Sequence, residues 1–150
     1  MITDKEGLQL AYEEAKAGFD EGGVPIGAAL VSADGKLLGK GRNLRVQLGS
    51  PIHHGETSTL LNTGRLPASA YKGSGACILY GIARVVIGEN RTFLGGEAYL
   101  KQRGVEVVVL DNPECRALME AFIEKSPELW NEDIGVEERV YSKEGHSAPA

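Results

Sequence analysis

His54-Gly55-Glu56 stands in the segment "SPIHHGETSTLLNTGRL", where helix-competent sequence begins after a polar loop. An imidazole at a helix start can bind a metal ion, and Gly55 lets backbone approach a ligand closely. Glu56, two residues on, can stay off the metal and shuttle a proton between a bound water and a substrate nitrogen. A solvated His-Glu pair at a helix start reads the same way, because three-residue patterns recur by chance. Further soft ligands would separate the two readings. The chain has two cysteines, Cys77 and Cys115, so it contains no C-x-x-C pair and can offer a metal two thiolates at most. Cys77 reads as a small buried core residue, since free cysteine is among the most buried types. Cys115, third in a helix opened by Asn112-Pro113, is expected to have a somewhat lowered pKa.

Composition sets the frame for this site. At 150 residues and 42% hydrophobic, the chain suits one domain with a real core. A formal net charge of -5 argues against a nucleic-acid partner, which needs clustered Lys and Arg, and favours a small neutral or cationic ligand. No apolar run approaches the roughly 20 residues that span a bilayer, and "MITDKEGLQL" lacks the order of a signal peptide. We therefore expect an intracellular protein with no membrane partner and reduced cysteines.

The elements that must position the site read as an α/β domain. Thr3-Asp4-Lys5-Glu6 is a capping box, followed by Leu8, Ala11, Tyr12, Ala15 and Phe19 at helical spacing and a stop at Gly22-Gly23. Residues 25–31 form an apolar run, Asp34-Gly35 is a hairpin signal, and 36–41 supply the return strand. A helix is expected over 54–63, stopping at Gly64, and a shorter one around 76–80, ending at Gly81. "ARVVIG" and "VEVVVL" are β-branched runs typical of strands buried on both faces, and the helix-like "GEAYLKQRG" between them predicts a βαβ crossover. Asn112 caps a helix with Pro113 at its first position, running to about Lys125 with Leu118, Phe122 and Ile123 on its apolar side. Residues 1–135 are expected to form the domain, and 136–150 a polar, frayed tail.

The stretches "AYEEAKAGFDEGGVPIGAALV", "GKGRNLRVQLGS", "HHGETSTLLNTGRL", "LYGIARVVIGEN", "YLKQRGVEVVVLDNPEC" and "LWNEDIG" occur in an order and spacing that closely resembles the fungal cytosine deaminases of the zinc-dependent cytidine-deaminase-like superfamily. The resemblance covers roughly residues 3 to 135. It implies a three-layer α/β/α sandwich around a mixed sheet, a Zn2+ cofactor, a homodimer, and a cytoplasmic, and also nuclear, enzyme of pyrimidine salvage that converts cytosine to uracil and ammonia. By this resemblance His54 is the histidine zinc ligand and Glu56 the proton shuttle. Asn43 is the amide that bonds the pyrimidine ring, and Asp133 the carboxylate that accepts an N–H of the base. Gly55 gives close backbone approach, while Phe93 and Trp130 form the apolar wall. Each also has a plainer reading: Asn43 as a turn former, Asp133 as a surface carboxylate, the aromatics as ordinary core.

The zinc deaminase signature continues with P-C-x-x-C, which this chain lacks. Between "YK" and "GACILYGI", where the family carries a strand, a short loop and that motif, stand only Gly73 and Ser74. Roughly a dozen residues are absent by this comparison, about one strand plus a turn. In the matching register Cys77 lies about four residues past the second family cysteine, a displacement of ~6 Å along a helix against a zinc–sulfur bond of ~2.3 Å. The expectations are therefore a sheet without its central third strand and impaired deamination. The alternatives are a catalytically dead dimerisation or regulatory module, and a relative acting on guanine or tRNA adenosine.

Overall fold

The computed structural model describes residues 1–71, 82–93 and 95–135. The helix expected around 76–80, Cys77 and the tail lie outside the described residues. Helix α1 (Asp4–Asp20) begins with the expected capping box: the Glu6 N–H donates to the Thr3 hydroxyl at 3.3 Å, and the Glu6 carboxylate accepts the Thr3 N–H at 2.8 Å. It stops where Gly22 takes a positive φ of 83°.

Strands β1 (Gly27–Val31) and β2 (Leu37–Arg42) form an antiparallel hairpin in the register Gly27↔Arg42 to Leu30↔Gly39, with a slip at Val31. Residues opposite one another share a face of such a ladder. The face bearing Gly27, Lys40 and Arg42 receives α1. Arg42 and Lys40 reach Glu14 at 2.7 and 3.1 Å, and a Cβ on Gly27 would collide with the Ala11 carbonyl oxygen. After β2 the chain makes the one-turn helix α2 (Arg45–Leu48), in what the sequence presents only as a polar loop. Helix α3 (Gly55–Thr63) then covers the other face: the Thr59 hydroxyl donates to the Ala28 carbonyl at 3.1 Å, and a Cβ on Gly41 would lie 2.7 Å from the Thr59 nitrogen. The hairpin is thus the middle layer of an α/β/α stack. The short α4 (Ala68–Tyr71) follows.

Strand β3 (Arg84–Ile87), helix α5 (Glu97–Gln102) and strand β4 (Glu106–Val109) form the expected βαβ unit, parallel in the register Arg84↔Glu106 to Ile87↔Val109. Helix α6 (Pro113–Lys125) is capped by Asn112, whose side-chain oxygen accepts the N–H groups of Glu114 and Cys115 at 2.8 and 3.0 Å. Helix α7 (Pro127–Asp133), not anticipated from "PELWNEDIG", follows directly on Ser126. Val24, Met119, Phe122, Ile123 and Trp130 make the buried core between these helices and the entry to β1, with the half-buried Leu118 beside Met119 on the inner side of α6. Among the described residues no helix is long and apolar enough to cross a membrane.

The burial expected of "ARVVIG" and "VEVVVL" is not found: all four β3 residues are only half-buried, and Val109 is 37% exposed. The reason lies in the pairing. Among the described residues β1 pairs only with β2 and β3 only with β4, so the sheet is in two pieces. A cavity of about 530 Å3 lies between them, walled by Ala28, Leu30, Val85 and Ile87 and flanked by Ala11 and Glu56. Among the described residues this interruption agrees with the expectation of a sheet without its central third strand.

Two outcomes follow from this packing. Gly41→Ala sets a Cβ against the helix backbone rather than a movable side chain, so it should cost about 1–3 kcal/mol, read as a lower denaturation midpoint with unchanged slope. Glu14 gives a pH signature. Burial works to raise its pKa, but the hydrogen bonds from Arg42 and Lys40 outweigh burial and hold the carboxyl below its ordinary value. A depressed folded pKa contributes stability above the unfolded pKa that is lost as pH falls through the folded value. The Tm difference between the parent and Glu14→Gln should therefore be largest near neutrality and close as pH drops below the carboxylate range.

Candidate active site

The start of α3 is built on backbone. His54 is its N-cap, with extended dihedrals (φ −75°, ψ 169°) and no side-chain capping bond, so the imidazole is not consumed by the helix. Its carbonyl accepts the Ser58 N–H at 2.9 Å, and its N–H donates to Ile52 at 2.9 Å. Gly55 packs closely on Ile26, whose Cγ2 and carbonyl oxygen would lie 3.2 and 3.4 Å from an added Cβ, so a side chain there would have to shift Ile26 by a few tenths of an ångström.

Asn43, just past β2, is completely buried. Its backbone N–H donates to the Ile26 carbonyl at 2.8 Å, while its side-chain oxygen accepts the Arg45 N–H at 2.9 Å and its amide donates to Asp133 at 3.4 Å. The turn-forming reading of Asn43 thus accounts for its side-chain oxygen, while its amide nitrogen is turned to Asp133. Asp133 is no surface carboxylate: it closes α7 with its side chain 5% exposed, and the Arg45 guanidinium lies 3.8 Å from the same oxygen that faces Asn43. A second Arg45 contact holds Glu132 at 3.3 Å.

One turn before Asp133, Trp130 is buried and meets Phe93 edge to face at 6.2 Å and 88°. Phe93 is not ordinary core, being 54% exposed. The pair lines a second cavity of about 320 Å3 together with Ile26, Tyr12 and Cys115. Glu56 faces the larger cavity between the sheets. The six residues thus form a buried polar knot (Asn43, Asp133), an aromatic wall (Phe93, Trp130) and a helix start (His54, Glu56). Ile26 joins them: it bonds Asn43, packs on Gly55, and lines the Trp130 cavity. Ile26 and Arg45 escaped the sequence reading. Arg45 had one signal, its place two residues after a turn-forming Asn, where an Asx turn needs a backbone N–H.

The donor set of the described residues does not by itself suit zinc. Among the described residues no three His, Cys, Asp or Glu side chains are grouped to hold a metal ion. His54 would be a single ligand. Cys115 packs instead against Gly88 at the end of β3, 2.8 Å from where a Cβ would stand. Its thiol is raised rather than lowered: burial pushes the pKa up to about 11, with Glu89 and Glu114 adding to the shift. Desolvation and two carboxylates outweigh the helix N-terminus on which the lower expectation rested.

Residues 1–89 match the family model for the cytidine and deoxycytidylate deaminase zinc-binding region. The cytosine deaminase of Candida albicans (strain SC5314) is 49% identical over 147 residues, covering 89% of this chain and 98% of that protein. The chain belongs to the cytidine and deoxycytidylate deaminase family. A solved structure from a study of A-to-I editing by tRNA:A34 deaminases superposes with a TM-score of 0.58 at 21% identity, covering 76% of this chain and 99% of that one, which establishes the deaminase fold. The alignment with the Candida relative also carries a length difference. It runs over 147 residues yet takes up 89% of 150, about 134, so about a dozen residues of the relative have no counterpart in this family member.

The matched region is a zinc-binding one, yet this member's described residues supply His54 alone. Purified protein should hold well below one zinc per chain after dialysis against a chelator, and His54→Ala should leave that residue of metal unchanged, because a lone imidazole does not fix the ion. One retained zinc per chain, lost in the His54 variant, would contradict this.

Proposed function

We propose that the chain is a cytosine deaminase by descent, with its base-recognition residues intact and its zinc ligand set incomplete, so that hydrolysis of cytosine to uracil and ammonia is impaired. The buried contact between Asn43 and Asp133, 90 residues apart in the chain, carries this reading. An amide and a carboxylate removed from water are costly unless they meet complementary groups, and a pyrimidine edge presents them. Asn43 can offer its amide to a ring acceptor. Asp133, already charge-balanced by Arg45, can accept an N–H of the base. Phe93 and Trp130 supply an apolar wall, with Phe93 exposed enough to rearrange over a ligand.

Hydrolytic deamination adds water at the amino-bearing carbon and expels ammonia, so a proton must reach the ring nitrogen and then the leaving nitrogen. Glu56 is the residue for that transfer. Activating the water is the task for which the described residues lack a donor set, and there the impairment lies. The reading extends to residues 1–135 as the deaminase domain with 136–150 as its tail, and to a homodimer serving pyrimidine salvage in the cytoplasm and the nucleus. Leu48 and Ile52, 58% and 70% exposed, are apolar side chains that a subunit contact would cover. A second reading, a dead deaminase-like regulatory module, is favoured by the ungrouped metal donors; its mark would be a stable dimer that carries no zinc.

Restoration tests the first reading. Inserting a strand that ends in P-C-x-x-C between Lys72 and Gly75 should recover conversion of cytosine to uracil with no other change. In that restored chain Glu56→Gln should lower kcat by about 10²–10⁴-fold with zinc retained, since an amide cannot carry the proton. Asp133→Ala should act mainly on KM. A restored chain that folds and binds zinc without turning over cytosine would favour the regulatory module.

A further inference from the structure

The larger cavity shares Glu56 with the candidate site but is lined by none of Asn43, Phe93, Trp130 and Asp133, and its walls have a distinctive make-up. One side is the whole of β1 and the opposite side the whole of β3, each a strand with a ladder partner on one edge alone among the described residues. The remaining two sides are α1, through Gly7, Leu8 and Ala11, and α3, through Glu56, Thr59 and Leu60. A space bounded by two strand edges and two helices has the cross-section of a strand buried on both faces. β1 is 5 residues long and β3 is 4, so an occupant of about five residues, extended over ~17 Å, would run the length of both.

Three further observations point to the same occupant. The β3 side chains Val85, Val86 and Ile87 are of the type that central strands bury, yet they are only half-buried. Arg84 Nε, at the rim, is a buried donor without a partner, while the rest of the guanidinium is held by Glu106 and Asp4, so an occupant's carbonyl could supply the missing acceptor. Finally, the Candida relative carries about a dozen residues without counterpart here, about one strand and its turn.

We infer that the cavity between β1 and β3 is a strand-docking slot that accepts an extended, uncharged, predominantly apolar peptide in trans, bonded along both edges at once. The occupant matches in length the dozen or so residues that the relative carries without counterpart here. Main-chain hydrogen bonds to β1 and β3 supply affinity, and Leu8, Ala11 and Leu60 select apolar side chains on alternate faces. Charged residues are excluded at the centre, where helices cover both faces. The inference rests on the family reading for the choice of probe, and its readout is independent of catalysis.

The test uses the full chain and a synthetic peptide with the sequence of the dozen residues particular to the Candida relative, against a version with proline at alternate positions. Hydrogen–deuterium exchange at saturating peptide should slow the backbone amides of β1 and β3 together, at least tenfold, and the proline version should slow neither. Gly7→Leu, a position where a Cβ meets only ordinary contacts at 3.7 and 4.0 Å, places a side chain at the slot wall without disturbing α1, and should weaken binding at least tenfold. Protection of one edge alone, or of neither, overturns the inference. So does protection of both edges in the free chain, which would mean that the chain itself fills the slot, or a second copy if the protection rises with protein concentration. Two-edge protection without deamination in the restored enzyme would leave the slot standing and remove the catalytic reading; a restored active enzyme whose parent shows no protection would do the reverse.

Discussion

Backbone-to-backbone approach on the two faces of the β1–β2 hairpin is the constraint on which the architecture depends. On one face Gly27 admits the α1 backbone at Ala11; on the other Gly39 and Gly41 admit α3 at Thr63 and Thr59, and Gly55 admits Ile26. A side chain at Gly27 or Gly41 would push a helix off the sheet, and one at Gly55 would press on the Ile26 side chain. The position of His54 and Glu56 follows from this contact, because α3 begins where Gly55 meets Ile26. The hydroxyl of Thr59, shared between Ala28 and Gly55, locks the same helix to the strand.

The second determinant is the short helix α7. Its entry by Ser126-Pro127 folds it back on α6, which puts Trp130 into the core and Asp133 beside Asn43. A pair of half-buried ion contacts from Arg45 then ties the end of α7 to the loop after β2. The site is therefore shared between the first third of the chain and its last described residues, a separation that only tertiary packing can close.

Much of this was legible in the residues. Helix α1, the hairpin, α3, the βαβ unit and α6 follow from capping residues, turn glycines and hydrophobic period, all of which are local signals. What escaped was set by context. Helix α7 carries carboxylates and one tryptophan without a clear period, and α2 is a single turn whose order comes from Asn43. The half-burial of β3 and β4 departs from their composition because burial requires a neighbour, and a β-branched run cannot report which neighbours it meets among the described residues. Cys115 likewise sits where chain position suggests a lowered pKa, but its surroundings include Gly88, Glu89 and an apolar pocket that no local reading supplies. Of the site residues, types and spacing identified the candidates, whereas the burial of Asp133 and the exposure of Phe93 are properties of the fold.

The division of the sheet has a consequence for cooperativity. In a continuous sheet, strand pairing couples every element to the next, and the domain unfolds as one unit. Here the hairpin with α3 forms one lobe and the βαβ unit with α6 and α7 another. Among the described residues, coupling between them runs through α1, through the ion pair of Asp4 with Arg84, and through the knot at Val24, Asn43 and Asp133. Where few contacts join two groups of elements, the amides of one can exchange at a lower free energy than unfolding of the whole domain requires. Asn43 and Asp133, the residues proposed to meet a base, are among those that join the two groups of elements, so on that proposal a bound base would also tighten the domain.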